Sequence, residues 1–423
     1  MSTGVQQAPV RPAGTAAVAT MVLIVLVALA LRPPFTAVAP LLEAIQRDLG
    51  VSNTFAGVLT TLPVVCLGVF AFVAPTLRQR FGDEKVVVGC LVVLLVGNSL
   101  RAAGSTWTLL AGTVVVGAGI AVANVALPGL IKRDFPHNIP VITAVYTVCL
   151  TLGGAFAASI VVPVGTALGS AWQAPLGVLA VPVLVALVIS AFVLRRGSGA
   201  PPQPSRPGLL WRTPLAWQVT AFMGLQSAMA YVVFGWLPTM LQGRGMSAEL
   251  SGLALGIQAA VQSIGSLAVP VLCRRFRDQR PISTVLAICI ALGFAGILVG
   301  PASGVWPSVI VLGVAQGASF GLALTVIGLR APDSDTAAAL SGMAQGIGYL
   351  IAATGPLLIG LLHDLAGTWT APLALLMACC AAWLISGLLA CRHRQVPSRA
   401  ARRSRHNTPV TRFHRGETAG RVG

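Results

Sequence analysis

Charge is what this chain has least of. Only 9% of its 423 residues are Asp, Glu, Lys or Arg, against roughly a quarter in a water-soluble protein. So few charges cannot cover the surface of a chain this long in water, which excludes a string of two or three soluble domains. Acids are scarcest, 11 against 28 basic residues. None of the 11 falls in the middle of an apolar run: Glu43 and Asp48 lie near one end of the first run, and the rest fall at run ends, in loops or in the tail. The five histidines are expected in loops or the tail. The eight cysteines (Cys66, Cys90, Cys149, Cys273, Cys289, Cys379, Cys380 and Cys391) show no CxxC or Cys/His spacing, so neither disulfides nor a metal site is expected. No nucleophile, base and orienting group share one membrane depth, which argues against an enzyme and leaves no cofactor to expect.

What is abundant is apolar sequence. Hydrophobic residues make up 56% of the chain and the mean hydropathy is +0.85. They fall in long runs such as Met21 to Leu31, Val86 to Gly97 and Leu176 to Leu194. A membrane helix needs about 20 such residues. Gly, Pro and charged punctuation divides the chain into twelve expected spans: 17–41, 54–77, 84–104, 107–131, 139–168, 174–194, 214–241, 249–273, 282–301, 305–329, 337–362 and 370–391. The expected fold class is an all-α membrane protein. The first run, with Arg11 before it and Ala37-Val38-Ala39 after it, looks superficially like a signal peptide, but Pro40 and its excess length argue for a membrane helix.

The basic residues orient these spans. With a cytoplasmic N-terminus, the inner loops and tails hold 24 of the 28. The outer side holds Arg47, Arg101 and Arg244, and Arg32 lies inside the first span. That bias places both termini in the cytoplasm. Nine arginines and one acid, Glu417, lie beyond Cys391, supplying +8 of the formal net charge of +17. With Phe413 as its only aromatic, this tail reads as a solvated topology determinant and not as a nucleic-acid surface.

The chain repeats itself. Gly50-Val51-Ser52 matches Gly245-Met246-Ser247, and Ala74 to Lys85 matches Val269 to Arg280, both at an offset of 195 residues (245 − 50). Trp172-Gln173-Ala174-Pro175-Leu176 matches Trp369-Thr370-Ala371-Pro372-Leu373. Shared polar positions in register, such as Arg80 with Arg275 and Asp83 with Asp278, argue against chance. Two six-helix halves of parallel orientation follow. The expected organisation is a cytoplasmic segment 1–16, a first half 17–194, a linker 195–213, a second half 214–391 and a basic cytoplasmic tail 392–423. The charges at Arg80, Asp83, Arg275 and Asp278 sit beside helix ends, where pairs could break as the halves rock.

Arg32 is the one ionisable residue deep in a span. An arginine there costs roughly 2.5–3.5 kcal/mol on insertion scales, and such residues mark function. Pro33-Pro34 follows at once and breaks the helix. Outward snorkelling or pairing with Glu43 are the alternatives. Neutral polar residues accompany it: Asn124 in span 4, Gln226 in span 7 and Gln316 in span 10. The three tyrosines, Tyr146, Tyr231 and Tyr349, fall in spans 5, 7 and 11. Gln258 and Gln262 share a face of span 8, as Gln345 and Tyr349 do in span 11. The expected binding set is Arg32, Asn124, Tyr146, Gln226, Gln316, Gln345 and Tyr349, with interhelical hydrogen bonding the competing role for each. A net positive cavity with few aromatics suits a small anion or polar neutral molecule. Without a buried acid, proton coupling has only Glu43 to use.

Leu31-Arg32-Pro33-Pro34-Phe35-Thr36-Ala37-Val38-Ala39-Pro40-Leu41-Leu42 resembles the signature of the cyanate transporter family of the major facilitator superfamily, which also includes nitroimidazole transporters. Leu127 to Pro136, Ser341 to Leu350 and Gly355-Pro356-Leu357 through His363-Asp364 resemble it too. The resemblance implies small-solute transport across a bacterial cytoplasmic membrane by a monomer, with spans 1, 4, 7 and 10 lining a central cavity. One departure is clear. The superfamily's loop signature after span 2 carries an acid that is missing from Ala74-Pro75-Thr76-Leu77-Arg78-Gln79-Arg80.

Overall fold

The computed structural model describes residues 14–135, 138–193, 210–276, 278–332 and 334–396. The segment 1–13, most of the linker and the tail beyond Val396 lie outside the described residues. Among the described residues the ordered elements are all helical. The first span is built of α1 (Gly14–Leu31), α2 (Pro33–Thr36) and α3 (Val38–Leu49); the second of α4 (Asn53–Phe70) and α5 (Ala74–Phe81). Then come α6 (Asp83–Arg101), α7 (Thr106–Asp134), α8 (Ile139–Ala167), and a sixth span of α9 (Gln173–Val178) and α10 (Ala180–Val193). The second half comprises α11 (Pro214–Gln242), α12 (Ala248–Arg275), α13 (Arg280–Leu298), α14 (Val305–Arg330), α15 (Ser334–Ala366) and α16 (Thr370–Ala390). Among the described residues, eleven segments are long and apolar enough to cross a membrane. The twelfth, α6, carries charge at both ends and packs along α7 as the third span.

The repeat in sequence is a repeat in backbone. Gly50 and Gly245 both take positive φ, +64° and +85°, a conformation that glycine adopts without Cβ strain. Two residues on, Ser52 and Ser247 cap the following helices, accepting hydrogen bonds from the amides of Phe55 and Leu250. So the same turn and the same cap start spans 2 and 8.

The halves meet along two helix pairs. The second span lies along α15, and α8 lies along α12. Glycines allow the approach: a Cβ on Gly57 would sit 3.1 Å from the Pro356 carbonyl, and one on Gly256 only 2.1 Å from Ser159 Oγ. At the face opposite the chain ends, Asp364 of α15 caps α4, accepting from the amides of Asn53 (3.2 Å) and Thr54 (2.5 Å) and from the Thr54 hydroxyl. Further toward the face that carries the chain ends, the second span stays against α15, where a Cβ on Gly346 would lie 2.8 Å from the Phe72 ring. A Cβ at Gly328 of α14 or Gly342 of α15 would meet nothing within 4 Å, and among the described residues no packing comparable to the two pairs above joins α7 to α14.

Two expectations are corrected. Arg101, expected among the outer-side charges at the end of the third span, ends α6 but is only 1% exposed, turned into the protein and not outward. His363, expected in a loop, lies in the last turn of α15, with its ring 4.3 Å from that of Trp369.

Candidate functional site

The site begins at the break in the first span. Pro33 and Pro34 bring no N–H, so α1 stops at Leu31 and a new short helix starts, with Arg32 as its N-cap. The break is held against α8. Thr36 Oγ1 donates to the Gly154 carbonyl at 2.8 Å, and a Cβ on Gly154 would lie 2.6 Å from Arg32 Cγ, so only glycine leaves room for the arginine stem.

From there Arg32 crosses to the other half. Its Cζ lies 4.6 Å from the centre of the Phe234 ring on α11, a cation–π distance. Around it the aromatics interlock. Tyr231 is 5.7 Å from Phe35, 6.1 Å from Phe234 and 6.2 Å from Tyr349, ring centre to ring centre. Tyr146 donates to Asn124 Oδ1 at 3.1 Å, linking α8 to α7. Arg32 acts electrostatically on Tyr146, Tyr231 and Tyr349, and among the described residues no carboxylate does so. All three tyrosines of the chain therefore gather around its one mid-span arginine. The half-buried guanidinium offers N–H donors and the phenols offer O–H groups. Such a cluster recognises acceptor atoms and negative charge.

Glu43 takes no part, since it pairs with Arg47 one turn on in α3. Gln345 is half-buried one turn from Tyr349 and donates to Ser341 Oγ at 2.7 Å. The other two glutamines are each only 2% exposed and have protein partners. Gln226 donates to Ser227 Oγ at 2.7 Å. Gln316 accepts from Gln258 at 2.8 Å, which in turn accepts from Gln262 at 3.1 Å, so a glutamine ladder ties α14 to α12. Tyr231, Phe35 and Phe234 are the members that the expected binding set omitted. The i, i+3 spacing of Tyr231 and Phe234 was the available signal.

The loop charges pair locally. Asp83 accepts from Arg78 Nε at 2.5 Å, while Arg80 lies 5.5 Å from the ring of Phe81. Asp278 accepts from the Arg280 amide at 3.0 Å, and Arg275 is exposed at the end of α12.

Residues 24–353 match the sequence profile of the Major Facilitator Superfamily. The chain belongs to that superfamily. Within it, the chain is a member of the cyanate and nitroimidazole transporter family. It is 38% identical to the 2-nitroimidazole transporter of Escherichia coli (strain K12), over 88% of this chain and 95% of that protein. It is 28% identical to the cyanate transport protein of the same organism, over 82% and 91%. Solved structures agree on the fold. A D-xylose–proton symporter superposes with a TM-score of 0.71 at 14% identity, covering 89% of this chain and 98% of that one. A bacterial homologue of the human lysosomal transporter Spinster, in an inward-facing and unoccupied conformation, also gives 0.71 at 16% identity, covering 91% and 98%. The protein is thus a multi-pass membrane transporter of a small molecule and not an enzyme.

Proposed function

We propose that the protein is a secondary transporter that moves a small anionic or polar solute of the cyanate type across the bacterial cytoplasmic membrane by alternating access. The convergence of Arg32 with Tyr146, Tyr231 and Tyr349, free of any carboxylate, carries this reading. Arg32 binds the negative end of the solute, Tyr231 and Tyr349 donate to its acceptor atoms, and Tyr146, whose one O–H goes to Asn124, contributes its ring and its hydroxyl oxygen. Gln345, Gln226 and Gln316 complete the polar lining, the last two through the unpartnered Gln226 Oε1 and Gln316 Nε2. Both termini, the 195–213 linker and the 392–423 tail are cytoplasmic, from the bias of the basic residues. The halves 17–194 and 214–391 rock about the two helix pairs that join them, and the loop charges Arg80, Asp83, Arg275 and Asp278 change partners as they do. The protein works as a monomer in lipid. Any proton coupling would run through the solute or the exposed Glu43, since no acid sits at the site.

The test is uptake of labelled cyanate into proteoliposomes, with and without a pH gradient. Arg32→Gln is expected to reduce uptake at least tenfold while the protein stays folded. Full uptake by a folded Arg32→Gln variant would sink the reading. The similarity to the 2-nitroimidazole transporter favours a second reading, export of nitroimidazole-like compounds. A planar nitro-heterocycle suits the aromatic walls, and its nitro oxygens suit Arg32. Accumulation of 2-nitroimidazole in cells with and without the protein separates the two.

A further inference from the structure

A second arginine touches the same break, and unlike Arg32 it is fully buried. Arg101, at the end of α6, is 1% exposed. Its Nη1 donates to the Pro34 carbonyl at 3.1 Å, two residues beyond Arg32. Nε and Nη2 have no protein partner, and one turn back both amide atoms of Asn98, itself 0% exposed, are also without one. Desolvation acts on this guanidinium with no charged neighbour to offset it. A buried cation without an acid is costly. Its stem runs through a slot built for it: a Cβ on Gly112 of α7 would lie 2.7 Å from Arg101 Cγ and 2.6 Å from the Gly97 carbonyl. A residue that only marked the membrane boundary would turn outward to the headgroups. This one turns inward and grips a backbone carbonyl in the broken helix.

We infer that Arg101 is a positioning residue for the substrate site: its hydrogen bond to the Pro34 carbonyl holds the broken first span in the geometry that presents Arg32 to Phe234 and the tyrosines. The inference deepens the proposed function and rests on it for the role of Arg32. A neutral side chain at 101 frees the Pro34 carbonyl and loosens α2, whose amides at Phe35, Thr36 and Ala37 bond only to Arg32 and Pro33. Lysine keeps a cation and a donor on a stem long enough to reach. The second charge also raises the positive potential behind the site, in keeping with an anionic solute.

The experiment uses the full chain in lipid nanodiscs and compares wild type, Arg101→Met and Arg101→Lys by hydrogen exchange. The Met variant is expected to speed exchange at Phe35, Thr36 and Ala37 at least tenfold, leaving the α11 amides unchanged, and the Lys variant to restore most of the protection. Unchanged exchange at those amides, or a rise spread over all helices, would overturn the inference. In parallel, uptake of labelled cyanate and of 2-nitroimidazole is measured in proteoliposomes. For whichever probe moves in an Arg32-dependent way, Arg101→Met is expected to raise the half-saturation concentration about tenfold, with maximal rate changed less than threefold. A loss confined to maximal rate would also overturn it. If neither probe moves with wild type, the proposed substrate class fails, while the exchange result still decides the role of Arg101.

Discussion

At the residue scale, the polar side chains inside the bilayer divide into two kinds. Arg32, Tyr146, Tyr231 and Tyr349 surround one another near the centre of the molecule. Gln258, Gln262 and Gln316 instead form a ladder between α12 and α14, through the Gln316 Oε1 and not its unpartnered Nε2. Their energetics differ accordingly. Interhelical hydrogen bonds in membranes contribute on the order of 1 kcal/mol, so Gln316→Leu is expected to destabilise the protein by about that much through the stranded Gln258 amide. Replacing Gln258 and Gln316 together by leucine should recover part of the loss. Thermal unfolding in detergent reads both. By contrast Tyr231→Ala, which removes the ring between Phe35 and Tyr349, is expected to lower uptake at least tenfold. Tyr231→Phe separates the hydroxyl from the ring: an intermediate loss assigns part of the effect to the O–H.

At the scale of elements, glycine decides how closely helices pack. A Cβ on Gly317 of α14 would fall 1.9 Å from the Gln262 carbonyl oxygen, and one on Gly265 of α12 would fall 1.9 Å from the Val314 carbonyl oxygen. Both obstacles are backbone, so neither can swing aside. Without a hydrophobic drive between helices in lipid, such close approach is the main source of affinity. Gly317→Val is therefore expected to lower the yield of folded protein severely, read as loss of a monodisperse peak in size-exclusion chromatography. Gly328→Val, at a position with open space, should leave that peak intact. The break in the first span belongs to this scale too. The tandem prolines ended α1 on local grounds, whereas its bracing by Gly154 and Arg101 depended on α8 and α6 arriving from elsewhere in the chain.

At the scale of the whole molecule, a side-chain cap ties the halves together at the face opposite the chain ends. Asp364 caps α4 across the boundary between the halves, and Arg32 lies against α11 deeper in. The proposed alternating access requires the Asp364 contact to open in each cycle. A disulfide between Thr54→Cys and Asp364→Cys is expected to reduce uptake at least tenfold under oxidising conditions, with recovery on reduction. Uptake unaffected by a fully formed crosslink would mean that this face does not open. Asp364→Asn keeps an acceptor but removes the charge from the helix start, so a milder shift toward the opened form is expected, read as faster cysteine labelling at position 54.

Much of this was legible before any coordinates. Span number, the parallel repeat and the helix break at Arg32 follow from local facts: apolar run length set by membrane thickness, the 195-residue register of Gly50-Val51-Ser52 with Gly245-Met246-Ser247, and a cation in front of two prolines. Partnership was not legible. Nothing in the sequence says that Gln316 meets Gln258, that Tyr231 stands between Phe35 and Tyr349, or that Arg101 turns inward to Pro34. In lipid, which face of an apolar helix looks at a neighbour and which at a hydrocarbon chain is set by packing shape and not by hydropathy. Only the tertiary arrangement could decide which polar residues gather around Arg32 and which join one helix to another.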